Sequence, residues 1–266
     1  MIGTLDLETI KLRERLGKGA RYDATSAPAL ELDWARRGTA YFARKLNELT
    51  DDELDRPTLI SGWSRRRLIG HVGHQARALS RIVEAARTGQ PWSEASDEER
   101  LAELNAATLP ARALRNLFYH SEVHLNVEWR DLTASGWNAT VILDGGRSVP
   151  VRETPATRAR AVWIHAVDLD STGSFRDFPS DFLDWLAAET VRLRTQGADI
   201  GWVLKATDRQ VSFAFGHGNS QYVEGSLADL LQWLFGRGAR RLSAANPELL
   251  REPLSLPAPI REVVDG

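Results

Sequence analysis

The sequence TPATRARAVWIHAVDL at residues 154–169 predicts the last helix of a helical bundle. Thr154 followed by Pro155 is a favoured helix start, because Thr can cap free N–H groups and Pro suits the first turn. Four side chains would share one face of this helix, at spacings of three, four and three: Arg158, Ala161, His165 and Asp168. A cation, an imidazole and a carboxylate on one stripe are unusual in an apolar core. This face is therefore a candidate for function, or for ion pairs with neighbouring helices.

Three further helices are predicted upstream from apolar residues that recur at helical spacing. They cover about residues 28–49, 64–88 and 110–133. Ser64 is a suitable N-cap for the second of them. Residues 137–151 alternate apolar and polar side chains around a DGGR turn, which is typical of a β-hairpin. Residues 28–170 are therefore predicted to form a four-helix bundle.

The pattern changes after residue 170. A Gly, Ser and Pro-containing linker at 171–179 precedes predicted helices at about 180–196 and 226–236, and predicted strands at about 201–206 and 210–215. This mixture predicts a smaller α/β domain with a short antiparallel sheet over residues 171–266, and hence an α+β fold class. Residues 1–27 are polar and are predicted to form an N-terminal arm without an assigned function.

The composition narrows the possible functions. Across 266 residues, 34 basic and 36 acidic side chains give a net charge of -2, which provides no broad positive surface for nucleic acid or an anionic membrane. No run of 18 apolar residues is present and the N-terminus lacks the apolar core of a signal peptide, so a cytoplasmic protein is expected. The chain has no cysteine, so any thiol chemistry needs a thiol from outside the protein.

Two histidines are the first candidates for a metal site. His71 and His165 lie on the second and fourth predicted helices, and facing helices of a bundle can direct side chains towards one core metal. A single bundle histidine is more often hydrogen-bonded than metal-bound, so a second signal is needed. His74, one turn after His71, could bind metal, contact a cofactor or substrate, or simply pack. Asp168 could orient His165 or cap the next turn.

The second signal is a resemblance to a known family. Residues 62–72, GWSRRRLIGHV, resemble the GWTxxxLIAHV stretch of mycothiol-dependent maleylpyruvate isomerases, and residues 160–169, RAVWIHAVDL, resemble their REVWIHAVDL. The likeness covers about residues 30–240. It implies a DinB-like bundle with a divalent metal of the zinc type. The implied ligands are one histidine of the second helix, and a glutamate and a histidine of the fourth.

Position by position, the resemblance assigns His71 and His165 as metal ligands, but the glutamate position holds Ala161. Two histidines bind a divalent cation far more weakly than a three-ligand site that includes an anion. Three explanations stay open. Metal binding is weak or absent, another residue such as His74 or Asp168 replaces the glutamate, or the alanine was introduced by engineering.

The resemblance implies cis–trans isomerisation of maleylpyruvate to fumarylpyruvate, in gentisate breakdown, by addition of a metal-bound thiol such as mycothiol. Arg237 is the catalytic residue that the resemblance implies, Asp168 is a further catalytic candidate, and His74 and Arg158 are the candidate cofactor contacts. A guanidinium at 237 suits a substrate carboxylate, although a helix C-terminal arginine there is the alternative. Two other functions are kept: a DinB-like thiol S-transferase, and a metal-free binding protein inactivated at Ala161. The expected partners are small molecules, and the expected state is a monomer or weak oligomer.

Overall fold

A computed structural model shows the chain as two compact units, one ending at Ser171 and the other beginning at Thr172. The structure describes residues 23–92, 96–143, 146–194, 201–217 and 219–251. Most of the predicted N-terminal arm and the first two residues of the predicted DGGR turn lie outside the described residues.

The first unit is mainly helical. Its helices are α1 (Ala29–Asn47), α2 (Arg65–Thr88), α3 (Asp97–Leu104), α4 (Ala111–Asp131), α5 (Ala134–Trp137) and α6 (Thr154–Asp168). The sequence predicts α1, α2, α4 and α6, and their ends lie within about two residues of the predicted positions. α3 begins in a stretch whose Gly, Pro and Ser residues predict a loop. In the described parts of the chain, no helix is both long and apolar enough to cross a membrane.

Local signals explain where the helices begin and end. The Ser64 hydroxyl accepts a hydrogen bond from the N–H of Arg67 at 3.3 Å and so caps α2. Gly89 ends the same helix with a φ of 69°, a left-handed conformation that glycine adopts without steric cost. Pro155 lies in the first turn of α6, where a missing N–H costs nothing. The Ser64 cap confirms the predicted start of α2. α6 begins at Thr154 as predicted, but the expected Thr154 cap is wrong: Glu153 is the N-cap residue, and its side chain makes no capping hydrogen bond.

The long helices pack as a bundle, with α1 against α6 and α2 against α4. Close approach of α1 to α6 requires Gly38, because a Cβ there would lie 2.6 Å from Val162 and 2.7 Å from Trp163. The indole N–H of Trp163 donates to the main-chain oxygen of Trp34 at 3.0 Å. β1 (Thr140–Ile142) and β2 (Ser148–Pro150) pair antiparallel between α5 and α6, which confirms the predicted hairpin.

The second unit combines helices with one sheet. Its elements are α7 (Ser180–Arg194), β3 (Gly201–Ala206), β4 (Val211–Phe215), β5 (Ser220–Gly225), α8 (Leu227–Leu234) and β6 (Ser243–Ala244). The strand order is β4-β3-β5-β6. The two outer pairings are antiparallel, whereas β3 and β5 pair in parallel. The α+β class is confirmed, but the predicted sheet lacks β5 and its parallel pairing.

Candidate active site

His71 and His165 lie next to each other in the bundle, one on α2 and one on α6. Their ring centroids are 5.6 Å apart and their planes cross at 83°. His165 is buried, whereas His71 is partly exposed. The approach of the two imidazoles that the motifs predict is therefore present. Their role as metal ligands stays a prediction.

A carboxylate on the same helix orients His165. Nδ1 of His165 lies 2.9 Å from Oδ2 of Asp168, and the Asp168 side chain is fully buried. When the Asp168 carboxylate is ionised it only accepts hydrogen bonds, and Nδ1 of His165 is then the donor. In a neutral imidazole the lone pair then lies on Nε2, which is the arrangement that a metal-binding histidine uses. This contact agrees with the orienting role that the sequence suggests for Asp168.

The histidine pair has a spacing suited to one shared cation. Two imidazoles on one tetrahedral zinc ion have ring centroids about 5 Å apart, because each Zn–N bond is about 2.0–2.1 Å. The third position expected on α6 holds Ala161, which is buried and has no donor atom in its side chain. Within the described ranges, no three His, Asp or Glu side chains form a group that could hold a metal ion. Among the described residues, this part of the bundle therefore offers two suitable imidazole donors and no side-chain donor at position 161.

An aromatic ring lies next to His71, and a guanidinium lies over that ring. The Trp63 ring meets the His71 ring edge-on, with centroids 5.2 Å apart. The Arg67 guanidinium lies over Trp63, 4.4 Å from its ring centroid. The sequence motif contains both residues. The turn before α2 brings Trp63 against His71, and Arg67 lies over Trp63 from the first turn of α2.

Arg158, a predicted cofactor contact, is fully buried in the bundle. Its guanidinium forms an ion pair with Glu122 of α4, and it donates to the side-chain oxygen of Gln75 and, at 2.9 Å, to the main-chain oxygen of Val72. The hydroxyl of Thr39 donates to Glu122 at 3.0 Å. These contacts join all four long helices. A cofactor contact of Arg158 stays a prediction.

The first unit matches a family model described as the mycothiol maleylpyruvate isomerase N-terminal domain, over residues 35–170. Two solved structures resemble most of the chain. One is a crystal structure of a mycothiol-dependent maleylpyruvate isomerase, 36% identical, with a TM-score of 0.75 over 82% of this chain and 92% of that one. The chain belongs to the mycothiol maleylpyruvate isomerase family.

The second solved structure is a variant of such an enzyme in which one histidine is replaced by alanine. It is 34% identical, with a TM-score of 0.74 and the same coverage of both chains. No curated protein sequence matches the chain. The family assignment confirms the resemblance that the GWSRRRLIGHV and RAVWIHAVDL motifs carry.

Arg237 lies between Gly236 and Gly238, just after the end of α8 in the second unit. Gly236, with a φ of 74°, donates its N–H to the Trp233 oxygen at 2.8 Å, and Arg237 donates its N–H to the Gln232 oxygen at 2.9 Å. This is a Schellman motif, in which glycine adopts the left-handed conformation. The Arg237 guanidinium also donates to the Phe235 main-chain oxygen. Its contacts agree with a helix C-terminal arginine, and a role in binding substrate stays a prediction.

The sequence singles out His74, but not the two partners of Arg158, Glu122 and Gln75. His74 is on α2 and is 8% exposed, so packing explains its position, and metal or cofactor contact stays a prediction. The sequence does not single out Glu122 or Gln75 as partners of Arg158. The signal that could have found Glu122 is a carboxylate at a position that helical period assigns to the buried face of α4, where an unpaired charge is costly.

Proposed function

We propose that this chain is a thiol-dependent cis–trans isomerase that converts maleylpyruvate to fumarylpyruvate. The observation that carries the proposal is the pairing of His71 with His165, oriented by Asp168, in a chain of the mycothiol maleylpyruvate isomerase family. Small-molecule partners, a cytoplasmic location and a monomeric or weakly oligomeric state belong to the same proposal.

The reaction needs a nucleophile, because a carbon–carbon double bond conjugated to a carbonyl does not rotate. A thiolate sulfur forms a bond to one alkene carbon, and the π electron pair moves to the carbonyl to give an enolate. Rotation about the new single bond follows. The enolate electrons then re-form the double bond as the C–S bond breaks and the thiolate leaves. Nothing is oxidised or reduced, and the thiol is regenerated.

The thiol must be a small molecule, since the chain contains no cysteine. Mycothiol is the thiol named for the solved relatives, and we propose that it serves here. His71 and His165 are the residues that would hold a divalent metal, with zinc the proposed ion. When bound there, a divalent metal lowers the pKa of a thiol and favours its thiolate form at neutral pH. Asp168 keeps the proton on Nδ1 of His165 and so leaves Nε2 available as a donor atom.

The developing negative charge also needs a stabilising group. We assign this role to Arg237, whose planar guanidinium can bind a carboxylate through two parallel hydrogen bonds. Such binding would orient the substrate and stabilise the enolate that forms next to it.

A metal-free binding function is the second candidate, and Ala161 favours it. The buried alanine removes the anionic donor that the family pattern places one turn before His165. Metal analysis of the purified protein by plasma mass spectrometry distinguishes the two cases. Near-stoichiometric zinc supports the enzyme, whereas a protein that takes up no zinc after incubation supports the binding function.

The function is tested by incubating purified, thiol-free protein with maleylpyruvate and following both isomers by NMR. Fumarylpyruvate should form when mycothiol is added, and formation should stop in chelator. Equal turnover without any thiol would contradict the proposal. Accumulation of a stable thioether would identify the S-transferase alternative instead. Parallel reactions with glutathione show which thiol the site accepts.

A further inference from the structure

Arg65 joins the start of α2 to the end of α6. Its side chain is buried, and its guanidinium donates to three main-chain oxygens. Two acceptors directly follow α6: the Leu169 oxygen at 2.6 Å and the Asp170 oxygen at 2.5 Å. The third is the Glu53 oxygen at 3.1 Å. Leu169 is the C-cap residue of α6, so its oxygen is one of the carbonyls that a helix C-terminus leaves without an intrahelical partner, and the Asp170 oxygen lies just beyond it.

Arg158 joins α2 and α6 on the other side of the histidine pair. It lies near the start of α6 and donates to Val72 and Gln75 of α2, while its ion pair with Glu122 fixes the guanidinium. Val72 directly follows His71. The bond to its carbonyl therefore holds the main chain of α2 at the histidine itself.

The contacts occur in a regular order along the two helices. The start of α2 meets the end of α6, His71 meets His165, and the segment of α2 just beyond His71 meets Arg158. The helices thus run in opposite directions, and the histidine pair lies between the two arginines. We infer that Arg65 and Arg158 are positioning residues that clamp α2 to α6 on either side of the pair and set the separation of the imidazoles.

Arginine is the side chain that this task requires. Its planar guanidinium presents five donors in fixed directions, so it can bind several acceptors on two helices at once. Lysine would keep the positive charge but act as a single flexible point of attachment. Replacement by lysine should therefore loosen the clamp while leaving a cation opposite Glu122 in the Arg158 variant.

The catalytic part of this inference rests on the proposed function, so its test includes a measurement that needs neither turnover nor metal. Imidazole resonances of His71 and His165, assigned with His→Gln variants, report the site geometry. The His71 ring lies edge-on to two neighbouring rings, those of Trp63 and His165. Its chemical shifts therefore depend on their distance and angle.

The test compares Arg65→Lys and Arg158→Lys with the matched control Arg87→Lys. Arg87 also lies on α2, and it pairs with Glu128 of α4 at 2.8 Å, but it is about 24 Å along the helix from His71. Both clamp variants should displace the resonances of His71 and His165. They should also lower kcat/KM by about tenfold or more, because small misplacements of reacting groups are costly. The control should lose stability without moving either resonance.

Clamp variants that melt at a lower temperature but leave both imidazole resonances in place would overturn the inference. If Arg158→Lys does not fold, Gln75→Met takes its place, since it removes one acceptor and keeps the buried ion pair. The same displacement of the resonances is expected. A wild-type protein that fails to isomerise maleylpyruvate would contradict the proposed function, while the resonances would still decide the role of the clamp.

Discussion

The Asp168 carboxylate lies 2.9 Å from Nδ1 of His165, and both residues belong to α6. A spacing of three residues brings their side chains together within a single helix. The orientation of His165 is therefore set locally, whereas its approach to His71 depends on how two helices pack.

Asp168→Asn should impair the site because it removes the charged acceptor that holds the proton on Nδ1 of His165. Zinc affinity and kcat/KM should each fall by about 10-fold to 100-fold, the usual effect of losing such a partner of a metal-binding histidine. Calorimetric zinc titration and steady-state kinetics measure the two effects. Asp170→Asn is the matched control, since Asp170 is exposed and its left-handed φ of 49° suits asparagine. Equal values for wild type and Asp168→Asn would show that the carboxylate is not needed.

Ala161→Glu should increase zinc affinity by more than about 100-fold. A direct anionic ligand should contribute more than a hydrogen-bond partner of a metal-binding histidine, whose loss costs about 10-fold to 100-fold. A carboxylate at 161 lies one turn before His165 and completes a set of two histidines and one carboxylate. In chelator the variant should melt at a lower temperature, since its buried carboxylate lacks a cation.

Ala161→Gln separates charge from bulk in this experiment, because glutamine adds a side chain of similar size without the negative charge. Only the Glu variant should gain zinc affinity in calorimetry. If wild type and Ala161→Glu bind zinc equally well, another residue already supplies the third donor. His74 is then the first residue to test.

Arg237→Lys should lower kcat/KM by roughly 10-fold to 100-fold, the effect of losing one or two hydrogen bonds to a charged group. Lysine keeps the charge but cannot form the two parallel bonds of a guanidinium. Arg240→Lys, at an exposed position three residues later, is the control and should retain wild-type kinetics. Unchanged kcat/KM in Arg237→Lys would assign Arg237 to the end of α8 alone.

Asp229 makes the stability of the second unit sensitive to acid. Burial alone would raise the pKa of this carboxyl, but hydrogen bonds from Arg176, Ser226 and Arg241 outweigh burial and hold the pKa below its ordinary value. A lowered pKa stabilises the fold above the unfolded-state pKa of about 3.9, and this contribution is lost as pH falls through the folded-state value.

Asp229→Asn should therefore destabilise the protein by about 1–3 kcal/mol at pH 7. The difference from wild type should begin to shrink as pH falls below about 4, where Asp229 of the unfolded chain takes up a proton, and should be lost as pH falls through the lower folded-state pKa. Thermal melts across this range measure the effect. Asp184→Asn removes an exposed ion pair with Arg209 and should change stability by less than about 1 kcal/mol at any pH. A constant difference between Asp229→Asn and wild type across the range would contradict the linkage.

Local sequence signals predict the long helices of the first unit. The cap at Ser64 and the Thr154-Pro155 start predict α2 and α6, and with them the helices that carry the two histidines. The sequence does not predict β5, because its residues, SQYVEG, alternate only weakly between apolar and polar. Parallel pairing with β3 places this strand in the sheet. The apolar and polar alternation of an isolated strand does not reveal its partner.

In the candidate site, too, the sequence predicts some contacts and not others. The motifs predict the approach of the two histidines, and the short spacing makes Asp168 a natural partner of His165. The ion pair between Arg158 and Glu122 joins residues 36 positions apart on different helices, so neither spacing nor composition predicts it. The three acceptors of Arg65 are main-chain oxygens, and no side chain in the sequence marks them.

The main-chain acceptors of Arg65 limit what the clamp requires of the sequence around it. Arg65 donates only to main-chain oxygens, so its three hydrogen bonds do not depend on which side chains stand at positions 53, 169 and 170. The clamp itself therefore makes no demand on these side chains. Leu169 is still restricted by its full burial, and Asp170 by its left-handed φ of 49°. The clamp constrains one arginine, whereas burial and backbone conformation decide which side chains fit the turn after α6.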